Sequence, residues 1–147
     1  VEERNKEMKR NFFSILTFIV CLMVFLSTTF AFAATNLMTY NGRGIRDKDS
    51  VETFVLSQST TITLEHSTTG VTDNGTQPNE KCQLLVSLMK KGTFSYAETG
   101  DEIRTTGIES KSATWTKAKG TYKLHFATKM LTETWWPGAN IEGRIYK

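Results

Sequence analysis

The hexapeptide YKLHFA at residues 122–127 alternates large apolar side chains with Lys123, His125 and Ala127, with a period of two. Successive side chains of a β-strand point to opposite faces, so this period predicts a strand with one buried and one solvated face. The buried set is then Tyr122, Leu124 and Phe126. Because aromatic and branched side chains fit a pleated, half-buried surface, the composition of the segment agrees with its period.

The same alternation recurs on both sides of this segment. Weaker strand candidates cover residues 37–40, 51–57 and 112–117, and no stretch after residue 33 keeps helical periodicity over ten residues with a cap. We therefore predict an all-β domain, an antiparallel β-sandwich of about seven or eight strands, with a small β-barrel as the alternative. The apolar faces of the further strands are formed by Ile62 and Leu64, by Cys82, Leu84, Val86 and Leu88, by Phe94 and Tyr96, and by Ile141 and Ile145.

Glycine, asparagine and aspartate separate these segments. Such residues supply the backbone conformations that turns require. The predicted turns lie at Asn41-Gly42, Lys91-Gly92, Thr99–Glu102 and Lys119-Gly120, and a long polar loop is predicted from Ser67 to Lys81.

Residues 1–33 have the parts of a signal peptide. Lys9 and Arg10 precede an apolar run over residues 12–26, and Ala31-Phe32-Ala33 offers small residues at the positions that a signal peptidase reads. We expect cleavage before Ala34, with Met8 as an alternative start of translation. The competing interpretation is a retained transmembrane anchor. Against it, serine and threonine loosen the end of the run, and no basic flank follows.

The remaining residues, 34–147, are enough for one domain. Their net charge is +2, because the leader removes four basic and three acidic residues from a chain of net charge +3. A nucleic-acid-binding domain would usually carry a stronger basic excess, so nucleic acid is not an expected partner. Cys82 is the one cysteine after residue 33 and lies on an apolar strand face, which predicts a buried, inert thiol.

Motifs for catalysis and metal binding are not found. Histidine occurs only at positions 66 and 125 and is predicted on an apolar and a solvated face respectively, and no nucleophile elbow is present. The histidines and Cys82 lack the short spacings of a zinc site. Asp101 and Glu102 are neighbours, so on a strand they would point to opposite faces rather than into one cleft. We therefore expect no enzyme activity, catalytic residue, metal or cofactor.

The stretch Thr134–Gly138 (TWWPG) is the most distinctive part of the chain. Adjacent tryptophans on a strand face opposite sides, so one of Trp135 and Trp136 should be accessible if the other enters the core. An exposed indole beside Glu133 and Asn140 would suit stacking on a sugar ring. The alternative is that both rings cap one end of a core that lacks a disulfide.

These observations predict a secreted, non-enzymatic binding module, free outside the cell or associated with its surface, from a bacterial source. A cell-wall glycan or another polysaccharide is one expected partner and a protein is the other, and a permanent membrane anchor is not expected. The candidate ligand-binding residues are Trp135, Trp136, Glu133 and Asn140. The alternative function is a small secreted effector, such as an antibacterial protein or an enzyme inhibitor.

Overall fold

The structure is a computed structural model that describes residues 34–72, 82–129 and 136–147. These ranges contain strands and no helix, so none of them supplies a helix that could cross a membrane. The predicted leader, residues 1–33, lies outside the described residues. The strands are β1 (Asn36–Ile45), β2 (Asp47–Asp49), β3 (Phe54–Leu56), β4 (Thr60–Thr72), β5 (Gln83–Lys91), β6 (Tyr96–Thr106), β7 (Glu109–Lys117), β8 (Gly120–Thr128) and β9 (Gly138–Tyr146).

The strands form two antiparallel sheets packed face to face, so the predicted all-β sandwich is confirmed. Sheet A has the order β1-β9-β4-β7. Sheet B has the order β2-β8-β5-β6, with β3 also paired to β8, which makes five strands. The predicted turn at Lys119-Gly120 carries the chain from β7 in sheet A to β8 in sheet B.

The core lies between the two sheets and is built by the alternating residues. Tyr122, Leu124 and Phe126 are each at most 3 % exposed, as the period of residues 122–127 predicts. Cys82 is buried as predicted, and Trp115 is half-buried against the core. The other buried apolar side chains are Met38, Phe54, Leu56, Ile62, Leu64, Leu84, Val86, Leu88, Ile103, Ala139, Ile141 and Ile145.

The turn predicted at Asn41-Gly42 is wrong. Both residues lie inside β1, where Asn41 pairs with Glu142 and Gly42 pairs with Ile141. A Cβ on Gly42 would lie 2.9 Å from Cγ1 of Ile45, so the glycine leaves room for a neighbouring side chain. Its role is packing and not chain reversal.

The turn predicted at Thr99–Glu102 is also wrong, because these residues belong to β6. The pairing shifts between Ser87↔Glu102 and Met89↔Glu98, so β6 carries a bulge opposite Leu88. Gly100 has φ +82°, a conformation that glycine adopts without steric cost. The turn-forming composition therefore bends a continuous strand.

Two further expectations about strand limits are corrected. The polar loop predicted from Ser67 to Lys81 is wrong over residues 67–72, because β4 continues to Thr72 along β9 and stays paired with β7 as far as Thr68. The rest of the predicted loop, residues 73–81, lies outside the described residues. Phe94, predicted on the apolar face of a strand, lies in the hairpin turn between β5 and β6 and is 100 % exposed. The strand begins only at Tyr96.

The two long sides of the sandwich are held differently. On the β6–β7 side, Lys117 Nζ bonds the carboxylate of Asp101, and Lys111 Nζ donates to the carbonyl of Arg104 at 2.7 Å. On the β1–β2 side, a cleft of about 430 Å³ opens between the sheet edges. Its floor includes Tyr40, Ile45, Phe126 and Ile141, and its rim includes Arg43, Lys48, Asp49 and Glu52.

Candidate functional site

Two of the four predicted ligand-binding residues are described by the structure. Trp136 is half-buried just before β9, and its Nε1–H donates to the carbonyl of Thr128 at 3.1 Å. The Thr128 hydroxyl in turn donates to the carbonyl of Pro137 at 2.7 Å. These bonds fix the indole against the end of β8, so its polar edge is already occupied. Trp135 and Glu133 lie outside the described residues.

Asn140 lies on the outer face of sheet A, in β9. Its Oδ1 accepts a hydrogen bond from the backbone N–H of Gly44 at 3.0 Å. Its Nδ2 lies 2.9 Å from the position that a Cβ on Gly70 would take, so the glycine in β4 makes room for the amide. The Asn140 side chain is therefore held in place and shares its end of β9 with Trp136.

An open groove of about 690 Å³ lies on the outer face of sheet A and crosses all four strands. The alternation of each strand places its polar side chains on this face, because the apolar set faces the core. The groove residues with outward side chains are Thr39, Asn41, Glu65, Ser67, Ser110, Ser112, Glu142 and Arg144. Together they offer hydroxyl, amide, carboxylate and guanidinium groups on one surface.

The charged groups of the groove hold one another in place. Glu65 accepts hydrogen bonds from Arg144 Nε at 2.7 Å and from the Tyr146 hydroxyl at 2.9 Å. The bond from Arg144 lowers the pKa of Glu65, and that from Tyr146 adds to it. The Arg144 guanidinium also lies 5.0 Å from the centre of the Tyr146 ring. Glu65 is therefore an ionised acceptor with a fixed orientation.

Paired hydroxyls run along β4 and β7 on the same face. Thr61 and Thr116 are 3.0 Å apart, Thr63 and Thr114 are 3.1 Å apart, and Ser67 and Ser110 are 2.8 Å apart between their hydroxyl oxygens. Each pair joins directly opposed residues of the two strands. The register of β4 against β7 thus produces a row of hydroxyls, of which the Ser67–Ser110 pair enters the groove.

A second polar depression, of about 500 Å³, adjoins the groove. The two share Asn41 and Glu142, and the depression continues to Arg43, Thr69 and Asn140. The predicted residue Asn140 therefore belongs to the same outer surface as the groove. That surface runs from β7 across the sheet to the end of β9 near Trp136.

His66 lies beneath the groove and faces the core. It is 2 % exposed, as its position on an apolar face predicts. Its Nδ1 lies 2.8 Å from the Tyr40 hydroxyl, and its Nε2 lies 3.3 Å from the hydroxyl of Thr68, which contacts that of Thr105 at 2.7 Å. Burial lowers the pKa of His66 to about 4, so the ring is neutral at pH 7. Both ring nitrogens are used inside the protein.

His125 lies on the outer face of sheet B, as predicted. Its Nδ1 is 2.9 Å from Oδ1 of Asp49, and its Nε2 is 3.5 Å from Oδ1 of Asp47. The hydrogen bond from Lys123 lowers the pKa of Asp49, and that from His125 adds to it. Among the described residues, no group of three histidine, cysteine or acidic side chains has the geometry to hold a metal ion.

The groove has no direct signature in the amino-acid sequence. Its residues come from positions 39–144, and only the register of four strands brings them together. One signal is present in outline: serine and threonine alternate with apolar residues in both β4 and β7. Only the strand order reveals that these two rows lie side by side on paired strands.

Searches of known protein families, of curated proteins and of solved structures found no match for this chain.

Proposed function

We propose that this chain is an exported, non-enzymatic binding module that takes a polysaccharide, such as a cell-wall glycan, in the groove of sheet A. The observation that carries the proposal is the mixture of donors and acceptors that four strands place in one open groove. A sugar presents hydroxyl groups that both donate and accept hydrogen bonds. A lining of hydroxyl, amide, carboxylate and guanidinium groups complements such a ligand.

The order already present in the groove supports this proposal. Glu65 and Arg144 are fixed by their mutual bond and by Tyr146, and Ser67 is fixed by Ser110. Side chains that are ordered before binding lose less conformational entropy when the ligand arrives. The open shape of the groove allows a polymer to lie across the strands without threading an end.

The charges of the groove favour binding over hydrolysis. A glycosidase needs one carboxylic acid whose pKa is raised so that it can protonate the leaving oxygen. The pKa of Glu65 is instead lowered, first by the hydrogen bond from Arg144. His66 is committed to Tyr40 and Thr68 inside the core. In this proposal Glu65 therefore acts as a hydrogen-bond acceptor for the ligand and not as a general acid.

The region around Trp136 and Asn140 is a second contact region for the same ligand in this proposal. Asn140 lies in the depression that adjoins the groove, and Trp136 precedes the same strand. Trp135 and Glu133 complete the predicted set of ligand-binding residues and are part of this proposal by their place in the sequence. Export follows from the predicted leader, and it places the ligand outside the cell or on its surface.

The test is co-sedimentation of residues 34–147 with insoluble bacterial cell walls and with insoluble polysaccharides. This segment forms one compact unit, so it can be studied without residues 1–33. The groove variant is Arg144→Met with Glu142→Gln. Its matched control is Arg104→Met with Glu102→Gln, the same chemical change at an exposed pair on sheet B. A third variant replaces Trp135 and Trp136 with alanine. Near-UV circular dichroism should confirm that this variant is folded before its binding is measured.

We expect the wild type and the sheet B control to pellet equally. The groove variant should bind about tenfold more weakly or worse, because it loses charge-assisted hydrogen bonds. Equal binding by the groove variant would reject the groove, and a loss confined to the tryptophan variant would move the site to that end. No pelleting of the wild type with any wall or polysaccharide would refute the glycan proposal and favour a protein partner or an effector role.

A further inference from the structure

Phe94 is the most exposed large apolar side chain in the described part of the protein. It lies in the four-residue turn Gly92–Ser95 that joins β5 to β6, and the Gly92 N–H donates to the Ser95 carbonyl at 2.7 Å. A hairpin turn of this length is too short to fold back and cover its own side chain. The fold therefore presents the phenylalanine at the far tip of sheet B.

The surroundings of this tip are basic. Lys91 is the last residue of β5, and Lys90 pairs with Tyr122 of β8. Lys119 comes directly before Gly120, where a Cβ would lie 2.8 Å from Cε of Lys90. Among the described residues, none of these three lysines has an ion-pair partner. Residues 89–97 and 117–123 contain no aspartate or glutamate.

The outer face next to the tip is partly apolar. Val55 in β3 is 66 % exposed and pairs with Thr121. The segment from Thr53 to Thr61, which includes β3, also lacks acidic residues. Three neighbouring segments of sheet B thus combine uncompensated positive charge with exposed apolar side chains. The other cations of this region are already neutralised, since Lys117 bonds Asp101 and Lys123 bonds Asp49.

We propose that this tip docks on the surface of an anionic lipid bilayer. Phe94 enters the interface between head groups and acyl chains, while Lys90, Lys91 and Lys119 stay at the level of the anionic head groups. An apolar side chain that projects from a basic surface combines the two forces that hold proteins at membrane surfaces. The contact is reversible, and it is separate from the groove on the outer face of sheet A.

Charge complementarity argues for a lipid surface over a protein pocket. A protein hot spot is usually an aromatic side chain within a well-packed patch whose rim excludes water. Phe94 is instead fully exposed in a turn, and the charged residues of the segment that contains it, residues 89–97, are lysines. A bilayer needs no shape-matched cavity for such a side chain, and its negative surface attracts the lysines.

The test measures binding of residues 34–147 to sedimented vesicles. One set contains phosphatidylcholine alone, and the other contains phosphatidylcholine with about one quarter phosphatidylglycerol. The tip variants are Phe94→Ser and, separately, Lys91→Gln with Lys119→Gln. The matched controls are Ile108→Ser and Lys129→Gln, which make the same changes at exposed positions remote from the tip. All five positions are exposed, so every variant should keep its fold.

We expect the wild type to bind anionic vesicles, and to bind less at high salt because ions screen the lysines. Phe94→Ser should weaken binding about tenfold or more, since the interface then receives no apolar ring. The lysine variant should lose its preference for anionic lipid, and both controls should bind like the wild type. A dye attached through Thr93→Cys should report an apolar environment when the protein binds anionic vesicles. The dye should label this position specifically, because Cys82 is buried.

Two outcomes would overturn this proposal. The first is failure of the wild type to bind anionic vesicles. This failure counts against the proposal even if Phe94 is found to be needed for binding a protein. The second is binding that Phe94→Ser leaves unchanged. Neither outcome affects the glycan proposal, whose groove variant lies on sheet A.

Discussion

Tyr40 occupies the space that a side chain at position 143 would need. The two residues are directly opposed in β1 and β9, and a Cβ on Gly143 would collide with the Tyr40 hydroxyl and with the carbonyl oxygen of Glu65. Because glycine leaves this space open, the phenol crosses β9 and reaches His66 in β4. The buried polar network therefore depends on a residue that contributes no side chain to it.

Replacement of Gly143 by alanine should destabilise the protein by about 2–4 kcal/mol, because one of the colliding groups is backbone and cannot move away freely. The free energy of unfolding in urea measures the effect. Gly70→Ala is the matched control in sheet A, since its Cβ meets only the end of the Asn140 side chain. A Gly143→Ala protein as stable as the control would contradict the observed packing.

Stability should fall with acidity because of His66. Its pKa is lowered by burial from 6.5 to about 4 in the folded protein. As the pH drops below 6.5, the unfolded chain therefore binds a proton first, and the stability present above that pH is lost on the way to pH 4. The loss from this group is on the order of 3 kcal/mol at most. An NMR titration in which the His66 ring ionises near pH 6.5 would disprove this assignment.

Thr68 and Thr105 join the two sheets through the core. Their hydroxyl oxygens are 2.7 Å apart, and Thr68 also contacts His66 Nε2. Thr68→Val should cost about 1–3 kcal/mol, because it leaves buried polar groups without partners. Thr63→Val makes the same change in an exposed pair and should cost less than about 0.5 kcal/mol. Equal costs in urea denaturation would argue against a role for the buried bond.

Lys117 and Asp101 link β7 to β6 across the edge of the sandwich, and each side chain is 18 % exposed. Burial alone would raise the pKa of Asp101, but bonds from Lys117 and Thr99 outweigh it and lower the pKa. Lys117→Met should therefore destabilise the fold by about 1–2 kcal/mol, as it leaves a half-buried carboxylate unpaired. Arg104→Met, at a pair that is 60 % and 50 % exposed, should have almost no effect in the same measurement.

Cys82 should be inert in the folded protein. The side chain is 1 % exposed, and burial raises the pKa of its thiol, so little thiolate is present at neutral pH. A chromogenic thiol reagent should react only after urea is added. Rapid reaction in buffer would show that the packing around Cys82 opens on the time scale of labelling.

The strands that sequence reasoning identified are those whose alternation is enforced by burial. Residues 122–127 lie in the central part of sheet B, so the large apolar side chains of Tyr122, Leu124 and Phe126 must face the core. The errors involve residues whose local preference was outweighed by pairing. Gly100 and Gly42 favour turns locally, but a bulge and a close side-chain contact use the same glycines inside strands.

The groove could not be predicted, because it depends on strand order and register. Glu65 and Arg144 are far apart in the sequence and become neighbours only through the pairing of β4 with β9. Asn140 is a predicted ligand-binding residue because it lies close to the tryptophans in the sequence. Its hydrogen bond with Gly44 in β1 is visible only in the structure. Local pattern thus predicts which face a side chain takes, but not which side chains share that face.

The two long sides of the sandwich differ in the side-chain bonds that join the sheets, and this difference should decide where the sheets separate most easily. Lysine side chains hold the β6–β7 side, whereas the β1–β2 side opens into the cleft above Tyr40 and Phe126. Fluctuations that separate the sheets should therefore begin on the β1–β2 side, with the β6–β7 side acting as the hinge. Water would then reach the buried hydrogen bond between Tyr40 and His66 sooner than it reaches the leucines between β4 and β5.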